Sequence, residues 1–267
     1  MPDTYLINGT DVRTYLSAVQ ELTGDIAAPP VLQDDFLVPG RTGATPTLPW
    51  MGPRTFAIGG LIYGTVAANP TDERLRAAFQ DKVRSFMKLA FNGGRPVTLT
   101  RKLVLPTGGT LETTATARYT GGLDTIGRAA ANAGRVVAEY TLLESFWYAS
   151  AAVDSGPKTD ASFSIDALGD VPTHKVTVKF SGSSSTQRLT NTTTGDWVQF
   201  ASSTTATAAV LDVEQFTALQ GATNAIQHVT SGDTNASYYW MTIAPGINTF
   251  SLTGGGSVQL GYKAAYL

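Results

Sequence analysis

Residues 70–91, "PTDERLRAAFQDKVRSFMKLAF", are the one stretch that reads clearly as a helix. Leu75, Phe79, Val83, Phe86 and Ala90 recur at steps of three and four, which puts them on one face of a 3.6-residue turn. Asn69 suits the capping position and Pro70 the first helical position. Asp72 and Glu73 meet the positive end of the helix dipole. Asn92-Gly93-Gly94 stops the helix, at a length of ~33 Å. An apolar face of this kind predicts packing on a sheet.

Outward from the helix, both flanks read as strand. On the N-terminal side, "DTYLINGTDV" (3–12) predicts two strands joined at Asn8-Gly9. "TFAIGGLIYGTV" (55–66) predicts a strand broken by Gly59-Gly60, where a bulge or close backbone approach is expected. Between them, residues 33–55 hold three Gly and four Pro. That predicts a long loop, and long loops in compact domains are often functional or interfacial.

On the C-terminal side, residues 96–105, the turn "PTGG" (106–109) and residues 110–120 predict a long hairpin. Residues 121–134 predict a loop or short helix, and 135–149 a strand ending in aromatics. Composition shifts at "SAAVDSGPKTD" (150–160), which marks a domain boundary. Beyond it short strands are expected at about 161–168, 173–181, 186–191, 196–200, 207–213, 225–231, 238–244, 247–253 and 257–263, the spacing of a β-sandwich. The closing stretch "PGINTFSLTGGGSVQLGYKAAYL" (245–267) predicts a hairpin whose glycines relax the connection. Its uncharged terminus should be pinned rather than loose. The predicted fold is mainly β: residues 1–149 form a β-barrel or split barrel with one inserted helix, and residues 150–267 form a sandwich.

Charge and chemistry narrow the function. Net charge is −2, without the basic excess of a nucleic-acid binder or a polybasic membrane anchor. Up to Ala149 there are 14 Lys/Arg and 13 Asp/Glu; after it there are 5 and 8. There is no cysteine, so no disulfide and no thiolate metal site. No leader peptide and no apolar run long enough for a membrane span is expected. His174 and His228 lie far apart and have no third ligand at metal-site spacing, so each is expected to be a packing or surface residue. No G-x-S-x-G signature or phosphate loop is present, and no enzyme activity, metal or cofactor is predicted. The N-x-S/T triplets at Asn8, Asn191 and Asn235 are expected by chance in so Thr/Ser-rich a chain.

Trp197 and "YYW" (238–240) are the aromatics on which a sugar ring could stack. Strand alternation places Tyr238 and Trp240 on one face and Tyr239 on the other. Trp197, Tyr239 and Trp240 are therefore weak sugar-site candidates, and a core role is favoured because Tyr and Trp are ordinary sandwich-core residues.

The order of these features carries a resemblance. A "VPGRTG" loop (38–43), "FAIGGLIYG" (56–64), one inserted helix, a strand ending "YTLLESFWY" (140–148) and the "PG-x-N" close resemble the distal tail proteins of long-tailed, non-contractile bacteriophages. The resemblance spans nearly the whole chain. It implies a tail-tube-like first domain and a galectin-like second domain. It implies a homohexameric ring at the tail tip of the virion, made in the host cytoplasm. The ring would join the tail tube protein to the tail-associated hub or baseplate protein, with DNA in transit through its bore and receptor-binding proteins outside. Residues Val38, Pro39, Gly40, Arg41, Gly43 and Trp50 are the candidate inter-subunit loop, with residues 121–134 beside them. Some members carry sugar-binding insertions, and no large insertion is present here. The alternatives are another tail-tube or tail-tip subunit and a carbohydrate-binding module.

Overall fold

The computed structural model describes residues 4–23, 31–32, 36–37, 44–45, 50–51, 53–66, 71–122, 133–182, 186–201, 207–232 and 240–267. The chain divides into two compact units, Met1–Trp147 with Leu267, and Tyr148–Tyr266. The candidate loop residues Val38 to Gly43, most of residues 121–134, and Tyr239 lie outside the described residues.

The first unit begins with β1 (Thr4–Ile7), β2 (Thr10–Asp11) and β3 (Ala18–Thr23). Four two-residue strands follow: β4 (Val31–Leu32), β5 (Phe36–Leu37), β6 (Ala44–Thr45) and β7 (Trp50–Met51). They pair β4 with β7 and β5 with β6, so part of the expected long loop is extended chain. Then come β8 (Arg54–Tyr63), α1 (Asp72–Phe91), β9 (Val97–Val104), β10 (Thr110–Gly121) and β11 (Ala133–Leu142). The main sheet is antiparallel throughout, in the order β2-β1-β9-β10-β11-β8-β3.

Alternation along these strands selects the core face. Phe56 lies opposite Tyr140 and Ile58 opposite Ala138, and all four are buried. Val97, Leu99, Ala115 and Ala117 continue the apolar face on β9 and β10. Phe56 meets Trp147 edge-on at 5.4 Å between ring centroids. The Asn8-Gly9 turn forms as expected, with both residues at positive φ (49° and 79°). Gly60 answers to its predicted close approach: a β-carbon there would run into the carbonyl oxygen of Ala18, beside the bulge between Val19 and Glu21.

The helix starts at Thr71, whose hydroxyl accepts from the Arg74 N–H at 3.4 Å. The expected cap, Asn69, and Pro70 lie outside the described residues, and the hydrogen-bonded turns begin after them. Asn92 ends the helix in the left-handed region at φ 46°. Only Phe86 and Ala90 of the predicted face are fully buried; Leu75, Phe79 and Val83 are half-buried. The first turn of the helix lies on the backbone just after β8, where Gly64 leaves no room for a β-carbon against the Leu75 carbonyl.

The strand expected over 135–149 is interrupted. β11 ends at Leu142, residues 143–146 bend, and β12 (Trp147–Ala149) follows. The segment of changed composition is strand as well, β13 (Val153–Lys158). The sandwich then runs through β14 (Ser162–Ala167), β15 (Val176–Ser181), β16 (Thr186–Asn191), β17 (Trp197–Ala201), β18 (Ala209–Asp212), β19 (Thr217–Gln220), β20 (Thr223–Asn224), β21 (Val229–Gly232), β22 (Gly246–Thr253) and β23 (Ser257–Tyr262), and β24 (Ala265–Tyr266) follows outside both of its sheets. One sheet has the order β13-β23-β15-β18-β19-β20 and the other β14-β22-β16-β17-β21. Their inner faces share one apolar cluster that includes Val178, Leu211 and Leu260 from the first sheet and Leu189, Phe200 and Phe250 from the second. Residues 240–244 do not form the expected strand; within them only Ile243 makes an isolated bridge, to Thr173.

The closing hairpin is a further correction. β22 and β23 do not pair with each other. β22 lies between β14 and β16, and β23 lies between β13 and β15 in the opposite sheet. "TGGG" therefore carries the chain from sheet to sheet. Gly254, Gly255 and Gly256 all have positive φ (94°, 72° and 75°), and a β-carbon at Gly254 would meet the Thr186 carbonyl. These glycines are required by the crossing rather than loosening it.

The end of the chain is pinned, as expected. Ala264 and Ala265 are buried, and the Ala264 carbonyl accepts from the Ala149 N–H at 2.8 Å. Asp170 N–H donates to the Ala265 carbonyl at 2.9 Å.

Candidate functional site

The "PG-x-N" signature resolves into a polar clamp at one end of the sandwich. Pro245 fixes the turn and Gly246 takes φ 82°. Asn248, fully buried, then folds its amide back onto that turn. Its Nδ2 donates to the carbonyls of Ala244 (2.6 Å) and Gly246 (3.0 Å), and its Oδ1 accepts from the Ala244 N–H at 3.0 Å. The second buried amide, Asn191, donates to Asn248 Oδ1 at 3.1 Å and to the Thr242 carbonyl at 2.9 Å. Buried Asp196 accepts from the Thr242 N–H at 2.8 Å and the Thr194 hydroxyl at 3.1 Å. The clamp ties the Thr192–Gly195 turn to the segment before β22. Both asparagine amide oxygens and Asp196 Oδ2 hold donors, so the clamp shapes the fold. Asn191 is engaged from within, which removes it as a glycan acceptor.

The two described tryptophans of the sugar reading are occupied differently. Arg188, diagonal to Trp197 on the neighbouring strand, holds its guanidinium carbon 4.0 Å from the Trp197 ring centroid. On the other neighbour, Gly232 has room for no side chain, because the Trp197 ring fills that space. A sugar must displace Arg188 to stack there. Trp240 is half-buried, lies edge-on to Phe216 at 5.6 Å and packs on the sandwich core. Trp50 is a β7 residue opposite Leu32. Trp197 and Trp240 are thus each taken up by a different partner, Arg188 and Phe216.

Each histidine lies against an aromatic ring, His174 half-buried and His228 exposed. His174 meets Tyr148 at 6.3 Å and His228 meets Phe200 at 6.0 Å, both edge-on. Among the described residues no group of three His, Asp or Glu is placed to hold a metal. No described helix is long and apolar enough to cross a membrane.

Among the described residues of the first unit, two arginines are buried. Arg101 donates to the Thr113 hydroxyl at 3.4 Å and lies 5.0 Å from the Trp147 ring centroid; Arg54 is equally buried. Their positions inside an apolar strand pattern gave no signal in the sequence. Burial pushes the Tyr140 hydroxyl well above the usual phenol range, and neighbouring Tyr119 adds to the effect.

The architecture is mainly β, a helix-bearing antiparallel sheet followed by a two-sheet sandwich. No protein-family model and no curated protein matches the chain. Among solved structures, it is similar to the SPP1 Dit protein, described as a paradigm of the hub adsorption apparatus in phages that infect Gram-positive hosts. That match covers 98% of this chain and 99% of that one at a TM-score of 0.64 and 14% identity. The fold is therefore Dit-like along its whole length. The phage P2 baseplate in its activated conformation, with calcium, matches 99% of this chain and 98% of that one at 10% identity and a TM-score of 0.44, too distant to argue from.

Proposed function

We propose that this chain is a non-enzymatic structural subunit of a bacteriophage tail tip. It acts as a hub between the tail tube and the baseplate. One observation carries the reading: the Dit-like fold runs through 98% of this chain and 99% of SPP1 Dit, so neither unit is left over.

In the proposed assembly six copies close into a ring through heterologous contacts. The segment 38–43 with Trp50, and residues 121–134, are the candidate contact loops. The tail tube protein sits on one side and the tail-associated hub protein on the other, and receptor-binding proteins attach outside. DNA passes through a bore that a chain of net charge −2 would not line with a phosphate-binding excess. The protein is made in the host cytoplasm and resides in the virion. A carbohydrate-binding module is the alternative, and the Arg188 guanidinium on the Trp197 ring counts against it.

Electron microscopy and light scattering of the purified protein test the reading, alone and with its tube and hub neighbours. The expected particle is a ring of six 28.1 kDa chains. A protein that stays monomeric with both neighbours present would overturn it. Extended tubes would favour a tube subunit.

A further inference from the structure

Gly261 sits inside β23 with an ordinary backbone and no steric need to be glycine. A β-carbon there would come no closer than 3.9 Å to anything outside its chain neighbours, namely the Thr177 side chain. The missing side chain leaves a hollow on the outer face of the sheet instead. Across the strands, Gly261 lies opposite Thr177, and Thr177 opposite Asp212. Two residues further along each strand line, just past the strand ends, come Lys263, Lys175 and Glu214. These six residues line an open pocket of about 290 Å³. That is the size of a site for one small molecule.

The charges around the hollow do not cancel in place. Lys175 is committed: its ammonium is 3.2 Å from Glu214 and 4.0 Å from the centre of the Tyr148 ring. That leaves Lys263 and Asp212 at opposite corners. Asp212 accepts only the Gln215 N–H through Oδ1, at 3.0 Å. No ion pair joins Asp212 or Lys263 to any described residue. They stand two strands apart and two residues out of register, about 12 Å at the backbone, so a direct bridge is out of reach. A ligand with an anion at one end and an ammonium at the other satisfies both, while a simple anion meets repulsion from Asp212 and Glu214.

We propose that this hollow is a binding site for a small zwitterion whose ammonium and anionic group are separated by a few bonds. Lys263 holds the anionic group, Asp212 the ammonium, and the Thr177 hydroxyl the atoms between. The Lys175–Glu214 pair forms the fixed wall. The site does not depend on the ring reading.

The test is amide NMR of the intact chain titrated with O-phosphoethanolamine and 4-aminobutyrate, with butyrate and butylammonium as singly charged controls. The Gly261 and Thr177 amides should shift saturably at millimolar zwitterion, and each control should bind about fivefold more weakly. Lys263→Gln and Asp212→Asn should each cost about the same factor. Gly261→Val should abolish the shifts while the melting temperature of the fold holds. No saturable shift, equal binding by a singly charged control, or full binding in Gly261→Val would each overturn the proposal. If Gly261→Val melts early, Lys263→Gln, which alters only an outward side chain, decides alone.

Discussion

In the sandwich, Asn248 is fully buried and all four hydrogen-bonding positions of its amide are filled. In the helix-bearing unit, Tyr140 is equally buried, yet its hydroxyl has no hydrogen-bond partner among the described residues. Trp147 Nε1 is in the same position. The contrast separates two uses of a buried polar residue. The asparagine is chosen for its polar atoms, because no other side chain closes the Pro245-Gly246 turn in the same way. The tyrosine is chosen for its ring, which lies opposite Phe56 and edge-on to Tyr119. Nothing in the structure explains its hydroxyl.

Four substitutions order this comparison by size. Asn248→Ala should be the most damaging, at ~2–4 kcal/mol, because it strands the Ala244 and Gly246 groups and the Asn191 amide together in the interior. Chemical denaturation measures it; a loss under ~1 kcal/mol would mean that water replaces the clamp. Next comes Gly254→Ala, which sets a β-carbon against the Thr186 carbonyl and should cost ~2–3 kcal/mol. Its neighbour Gly255 shares the positive φ but has nothing within 4 Å, so Gly255→Ala should cost only ~1 kcal/mol. Equal costs would show that backbone strain alone, and not the crowding at Thr186, governs the crossing.

Tyr140→Phe should be smallest, within ~0.5 kcal/mol at neutral pH, since removing an unpaired hydroxyl leaves no partner behind. Its pH signature is sharper. The folded hydroxyl titrates above the unfolded phenol, so the folded state holds its proton more tightly. Stability from this group is whole below the unfolded value of about 10 and is lost as pH rises past it. Tyr140→Phe should flatten that alkaline fall in unfolding free energy. Tyr119 and Tyr266 are shifted the same way and keep part of it. An unchanged alkaline slope would show that Tyr140 is not what steepens it.

Much of the first unit was legible because its signals are local. The helical period, the Asn8-Gly9 turn, the 96–120 hairpin and the Gly60 approach each depend on a few adjacent residues. The arch was not legible, since an alternating run, three glycines and a second alternating run describe a hairpin and a sheet crossing equally well. Which ladder each strand joins is decided by partners such as β13 and β14, some ninety residues earlier. β13 itself was missed because Gly156 and Pro157 read as linker. Trp240 looked like a strand residue from alternation alone, and the bend there follows the clamp at Thr242 and Asn248. The hollow over Gly261 gave no signal, because its corners meet only through three-strand register.

The arch also sets the order in which the sandwich can be built. β22 and β23 are the inner neighbours of strands made far earlier, so β13 and β14 have nothing to pair with while the ribosome is still adding residues 160–240. Neither sheet can close until residues 246–262 are synthesised, and pairing over such sequence distances is slow. A chain cut short before the arch presents two open sheets and an exposed apolar interior, the kind of species that aggregates or is degraded. Synthesis of the arch is therefore the last step on which both sheets wait.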